Sequence, residues 1–276
     1  MYTTEDILEF ALQAAGMTEC PADSGVLVPG KNIKKVVFGI DIEAGELLIA
    51  KHLGADAVIT HHPMGGGPKI NLHKVMENQI DRMVEGGVPI NKAQKALKPR
   101  MEQVERGLHV SNFDRAVSAA KALNMPFLAI HSPADKLAEA TIQGLIDEGT
   151  KDNPKAKIKD ILAILNEIPE VKNSIAKPVA RVGGDEDYAG KVFVTMAGGT
   201  GGGAKVYEAY FEAGIGTLVM MHIQEDALSA VKKHNIGNVI VAGHMASDSV
   251  GINKVIDVFE GHGVEVITLS GVLEPK

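Results

Sequence analysis

The chain has 276 residues, 45% hydrophobic and 23% charged, with a formal net charge of −7 and a single cysteine. That length allows a well-buried core in one large or two modest domains. The acidic balance argues against a nucleic-acid surface, with Lys31, Lys34 and Lys35 reading as a solvated face. A lone Cys20 excludes an intrachain disulfide and a thiolate zinc cluster, so any bound metal must be held by histidine and carboxylate. Residues 1–6 carry no leader pattern and no apolar run approaches membrane-spanning length, so a cytoplasmic protein without membrane contact is expected.

Ile7, Leu8, Ala11, Leu12 and Ala15 recur at helical spacing behind a Thr3/Thr4 cap, and Gly16 ends that helix. Residues 35–41 read as a strand and 44–52 as a helix. The apolar run Ala57, Val58, Ile59, bounded by Gly54 and Pro63, reads as a strand covered on both faces. The pattern then predicts a helix over 74–85, an extended piece at 88–90, a polar helix over 94–106 and a strand at 108–110. A helix over 115–123 and a strand at 127–131 complete a βαβ series, which implies a mostly parallel sheet. Residues 134–148 and 156–168 form amphipathic helical stretches around a polar link, punctuated afterwards by Pro169 and Pro178. A second block has strands at 191–197, 217–221, 239–242 and 264–269, with helices over 206–213, 226–234 and 249–260. The fold class expected is therefore α/β: two α/β halves with mostly parallel or mixed sheets packed around a central metal cleft. Its parts are a first half over 1–131, a helical connecting segment over 132–190 and a second half over 191–276.

Open α/β sheets bind ligands outside the carboxyl ends of their strands. His61 and His62 stand at such an end, and imidazole is the commonest metal-ligating side chain. One histidine there would more often be structural; two side by side make ligation an equally good reading. His244 ends the 239–242 strand in the same way, with Asp248 four residues on, at the expected entrance to the next helix. Asp114 follows the expected 108–110 strand and opens the 115–123 helix. Each aspartate alone reads as a helix N-cap. Three strand-end histidines and two aspartates together read as a donor set for zinc, iron or manganese. Five donors exceed the need of one tetrahedral ion, and a carboxylate shared by two divalent ions about 3.5–4 Å apart would use them all. Such a pair lowers the pKa of a shared water, which points to hydrolysis. His222, at another strand end, is a weaker candidate to line the site. His109 and His131, on or beside strands, read as core residues or outer hydrogen-bonding groups, and His52, His73, His234 and His262 as surface.

Gly198, Gly199, Thr200, Gly201, Gly202 and Gly203 join a strand to its helix. Glycine backbone beside a helix amino terminus can cradle an anion, which makes Gly199, Thr200 and Gly201 candidate contacts for a substrate phosphate. A tight strand-to-helix turn explains the same glycines equally well. Neither a P-loop Lys-Ser/Thr pair nor the acidic residue of a dinucleotide fingerprint follows.

The segments Gly54-Ala-Asp-Ala-Val-Ile-Thr-His-His-Pro63, Ser111-Asn-Phe-Asp114, Ala197-Gly-Gly-Thr-Gly201 and Gly243-His-Met-Ala-Ser-Asp248 resemble the NIF-three-like family. Its members are often labelled GTP cyclohydrolase type I homologues. The resemblance covers about residues 2–114 and 180–269, with the His-His-Pro segment as its specific part. It implies a dinuclear metal centre bound by His61, His62, Asp114, His244 and Asp248, where Asp248 replaces the family's usual glutamate. A histidine-bearing segment of the family reads His222-Ile223-Gln224-Glu225 here, which makes Glu225 and His222 candidate catalytic groups. A ring-shaped homohexamer is implied as well. The function expected is a metal-dependent hydrolase acting on a nucleotide-like or phosphorylated small molecule, GTP cyclohydrolase-like chemistry included. The alternative is a non-catalytic metal-binding regulatory or adaptor protein.

Overall fold

The computed structural model describes residues 1–275. The strands are β1 (Gly25–Val28), β2 (Lys35–Gly39), β3 (Ala57–Thr60), β4 (Phe127–Ala129), β5 (Val179–Val182), β6 (Val192–Val194), β7 (Thr217–Met220), β8 (Asn238–Val241) and β9 (Glu265–Leu269). They build two sheets, each in its own packing unit. The first unit comprises Met1–Val75, Val104–Leu137 and Asp248–Val272; the second comprises Met76–Gln103, Ala138–Ser247 and the residues from Leu273. The class is mixed α/β, as the alternating pattern predicts.

In the first unit the sheet order is β1-β4-β3-β2-β9, with β1 antiparallel and the rest parallel. Side chains alternate across a strand, so consecutive residues of β2 enter different cores. Val36 and Phe38 pack with Ile59, Leu128, Ile7, Leu12, Ile252 and Phe259, while Val37 packs with Val58, Phe127, Leu47, Ala50 and Ala116. Both faces are thus covered, which is why β2 and β3 read as continuous apolar runs rather than alternating ones. The Thr4–Ala14 helix contributes its Ile7, Leu8, Ala11, Leu12 stripe, and a Thr3/Asp6 capping box fixes its start.

The second unit repeats the plan with order β5-β8-β7-β6 and an antiparallel β5. The edge strands β1 and β5 each shift register against their partners, between Val26 and Val28 and between Ala180 and Val182. Among the described residues, no helix is long and apolar enough to cross a membrane.

The chain departs from the sequence expectations at several points. No strand forms at 108–110, because the Ile90–Leu108 helix runs through its start and Val110 is left 89% exposed, with no core to enter. The extended piece at 88–90 is likewise absent, with Ile90 opening that helix. The last helix begins at His244 rather than 249. Finally, β9 lies beside β2 in the first sheet, so the last strand belongs to a different unit from β8.

Phe259 is fully buried, its ring 6.4 Å from that of Phe38. Phe259→Ala should therefore destabilise the protein by about 3–5 kcal/mol, measured as a lower urea midpoint at unchanged slope; a change below about 1 kcal/mol would contradict this core assignment.

Candidate metal centre

Several elements deliver polar side chains of the first unit to one place. Beyond β3, backbone pairing continues as His61 N–H donates to Gly39 O (2.8 Å) and His62 N–H to Ile40 O (2.9 Å). Thr60 holds this exit: its hydroxyl donates to His62 O at 2.8 Å and accepts from Ile42 N–H at 3.3 Å. His131 follows β4, and the Ser132–Thr150 helix carries Asp135 one turn later, with Asp135 N–H donating to His131 O. Asp248 comes from the His244–Gly261 helix, entered through Gly243 at φ +101°, a conformation that L side chains rarely adopt. Asp23 and Asp41 come from loops beside β1 and β2.

Each imidazole is anchored through Nδ1. His61 Nδ1 lies 3.2 Å from Ile130 O, His62 Nδ1 2.8 Å from Asp41 Oδ1, and His131 Nδ1 2.7 Å from Asp23 Oδ2. A carbonyl or carboxylate oxygen only accepts, so Nδ1 bears the proton and Nε2 is turned inward. His61 Nε2 is 3.3 Å from Asp135 Oδ1 and 3.6 Å from Asp248 Oδ1; His62 Nε2 is 3.5 Å from Asp248 Oδ2. The donor atoms of His61, Asp135 and Asp248 lie within 4.8 Å of one another, as do those of His61, His62 and His131.

These separations test the fit to a cation. Good N–H···O hydrogen bonds run to about 3.2 Å, whereas donors bonded at roughly 2.0–2.2 Å to a tetrahedral centre stand about 3.3–3.6 Å apart. His61 Nε2 and Asp135 Oδ1 are buried and make no hydrogen bond. A shared divalent ion would satisfy both, so the donor set fits a metal.

The electrostatics agree. Burial alone would lower the pKa of His61, but the Asp248 and Asp135 carboxylates more than reverse it and hold the group well above the ordinary imidazole value. Burial likewise works against His62, yet the neighbouring Asp248 and Asp41 carboxylates raise it to about 9, partly opposed by His61. Burial would raise Asp23, and the adjoining His131, Ser132 and Ser24 overcome that and lower it.

Of the residues singled out in the sequence, the structure brings together His61, His62 and Asp248. Asp248 is not an N-cap: the helix starts four residues earlier, so capping no longer explains it. His244 opens that helix one turn ahead of Asp248, exposed, with its ring 4.8 Å from that of His222. Asp114 is not in the group. It is exposed in the loop after the Ile90–Leu108 helix, where Asn112 Oδ1 accepts from the Asp114 and Arg115 N–H groups. The strand end expected to present it does not exist. Glu225 and His222 are both exposed.

Asp135 and Asp23 escaped the sequence reading. A signal for Asp135 was present: His131 and Asp135 repeat the four-residue spacing of His244 and Asp248, each pair following the last parallel strand of its own series. The glycine turn has a packing explanation. The Gln79 amide donates to Gly198 O and Thr200 O, both at 2.7 Å, and a Cβ at Gly198 or Gly202 would fall 2.6 or 2.5 Å from that side chain.

No family model matches the sequence, and no curated protein does. Solved structures do. A NIF3 superfamily protein from Sphaerobacter thermophilus superposes with a TM-score of 0.94 at 36% identity, over 98% of each chain. TTHA1606 from Thermus thermophilus shares the fold at a TM-score of 0.59 and 17% identity, over 96% of this chain and 97% of that one. Reduced HcgD from Methanocaldococcus jannaschii does so at 0.58 and 14%, over 97% of each. With more than a third of its residues shared across nearly the whole length of the first of these, the chain belongs to the NIF3 superfamily.

Proposed function

We propose that this protein is a metal-dependent hydrolase with a dinuclear centre. In this reading His61, Asp135 and Asp248 would hold one divalent ion, and His62 and Asp248, with His244 as the family resemblance implies, would hold the other. The observation that supports it most is Asp248, whose Oδ1 faces His61 and whose Oδ2 faces His62, the disposition of a carboxylate shared by two cations. Although one methylene shorter than the family's usual glutamate, it reaches both imidazoles. His244, one turn earlier on the same helix, adds a donor on the side of Asp248. Asp135 takes the role first expected of Asp114.

Imidazole and carboxylate donors suit zinc, iron or manganese. When bound, such ions polarise a phosphoryl or carbonyl oxygen and render a water acidic near neutral pH. The chain's own groups do the rest. Ile130 O and Asp41 fix the His61 and His62 rings, while burial of Asp135 and Asp248 excludes competing water. Among the imidazoles of the first unit His62 is the partly open one, 25% exposed, beside the exposed Asp41, so substrate approaches from the His62 side. A nucleotide-like or phosphorylated small molecule fits, since phosphate oxygens are hard ligands. Ring opening of GTP is one form of this chemistry and is recognised by released formate. Family resemblance supports a homohexamer. A non-catalytic metal-binding adaptor is the second reading, favoured by the depth of His61 and Asp248, 0% and 1% exposed. Screening metal-loaded protein against nucleotides and phosphoesters separates the two, since inactivity at full occupancy supports the adaptor.

Elemental analysis should find up to two ions per chain. His61→Ala and Asp135→Ala should each weaken metal binding by more than about 100-fold, beyond the 10–100-fold typical of an outer partner, and abolish turnover. Asp114→Ala should leave both unchanged. Full metal retention by His61→Ala would end the proposal.

The pKa values set a pH test. His61 and His62 are raised in the folded protein, so their pairing with carboxylates stabilises the metal-free form fully below about 6.5. That stabilisation is lost as pH rises through about 9 for His62. Ions displace these protons, so metal affinity should fall with falling pH. The gap between melting curves with and without chelator should widen from pH 7 to 9, roughly the window between free and folded imidazole values. Identical pH profiles would argue against metal at this site.

A further inference from the structure

We propose that His131 is an additional donor to the metal centre, and that Asp23 is the positioning residue that makes it one. The inference rests on the dinuclear reading above and concerns a group that reading leaves unused. His131 is buried, with its ring 4.8 Å from that of His61 and 5.8 Å from that of His62. Its donor atom lies within 4.8 Å of theirs, and its Nε2 is 3.6 Å from Asp135 Oδ2, beyond hydrogen-bond range and within the spacing of two ligands on one ion.

Asp23 gives the ring its direction. The carboxylate is fully buried and accepts from His131 Nδ1 and from Ser132 Oγ, both at 2.7 Å, and from Ser24 Oγ at 3.3 Å. Ser24 Oγ in turn accepts from the His131 backbone N–H at 3.0 Å. Ring and carboxylate are therefore tied together at both ends. Because the carboxylate accepts, Nδ1 keeps its proton and the Nε2 lone pair points at the cluster. An imidazole present only for packing needs no buried carboxylate, whose desolvation costs several kcal/mol. A carboxylate behind the distal nitrogen is the usual support of a ligating histidine. His61 uses a carbonyl for this purpose and His62 the exposed Asp41; His131 alone has a buried anion, so the geometry assigns it the most firmly fixed ring of the three.

The test uses full-length protein loaded with zinc. Long-range 1H–15N spectra of histidine-labelled wild type should show His131, identified by its loss in His131→Gln, protonated at Nδ1 with Nε2 bound to metal. By chelator competition, Asp23→Asn should weaken one zinc by about 10–100-fold, and His131→Gln by at least as much. Cobalt-loaded His131→Gln should also show an altered visible spectrum. His131 protonated at Nε2 in the zinc-loaded wild type would overturn the assignment, with no variant needed. So would a folded His131→Gln with both zinc affinities unchanged. If Asp248→Ala loses zinc while both of these variants keep it, this inference fails and the dinuclear reading stands; wild type that binds no zinc overturns both.

Discussion

Two carboxylates buried among imidazoles are the constraint that orders this protein's first unit. Asp135 is 3% exposed and lies 3.3 Å from His61 Nε2 and 3.6 Å from His131 Nε2, the first of which carries a raised pKa. A buried anion needs a compensating cation or it destabilises the fold by several kcal/mol. Lysine or arginine would supply a fixed charge and close the site. Imidazoles supply a replaceable one, a proton in the metal-free state and, in the proposed function, a divalent ion. The raised pKa values of His61 and His62 are the metal-free side of this exchange.

The fold supports the arrangement because strand ends and helix starts coincide. β3 ends on His61 and His62, and β4 ends just before His131, from which a helix leaves carrying Asp135 one turn on. The second sheet repeats this device, with β8 leading through Gly243 to His244 and Asp248. In each case a four-residue spacing puts histidine and aspartate on one face of the first helical turn. The helix from His244 changes unit along its length, Ser247 belonging to the second and Asp248 to the first. That is why an aspartate so late in the chain reaches a site opened by its first sheet.

Much of this was legible in the chain itself. Adjacent histidines after an apolar run bounded by glycine and proline announce a strand end, and the run Ala57, Val58, Ile59 does form β3. Asp248 was legible through its spacing from His244, although its helix starts earlier than capping logic suggests. Asp114 misled because Leu108, His109 and Val110 carry the composition of a short strand. The preceding helix absorbs Leu108, and a segment this short has no periodicity to decide between the two. Asp23 was illegible for another reason. It meets His131 across 108 positions of sequence, and no local pattern encodes such a contact. The short antiparallel β1 beside it pairs with β4, a contact almost as distant in sequence.

The outer partners explain how the donors come to be aligned. Free imidazoles beside two carboxylates would rotate to hydrogen-bond them directly, at about 2.7–2.9 Å. Here the inward separations stay at 3.3–3.6 Å because each ring is held from behind. The holding groups differ in depth: a strand carbonyl for His61, an exposed aspartate for His62, a buried aspartate for His131. Depth sets how much each ring can yield, since a buried hydrogen bond is stronger and its loss more costly. His62 is therefore the ring most able to adjust. Of these three rings it is also the one nearest solvent, so adaptability and access fall on the same residue.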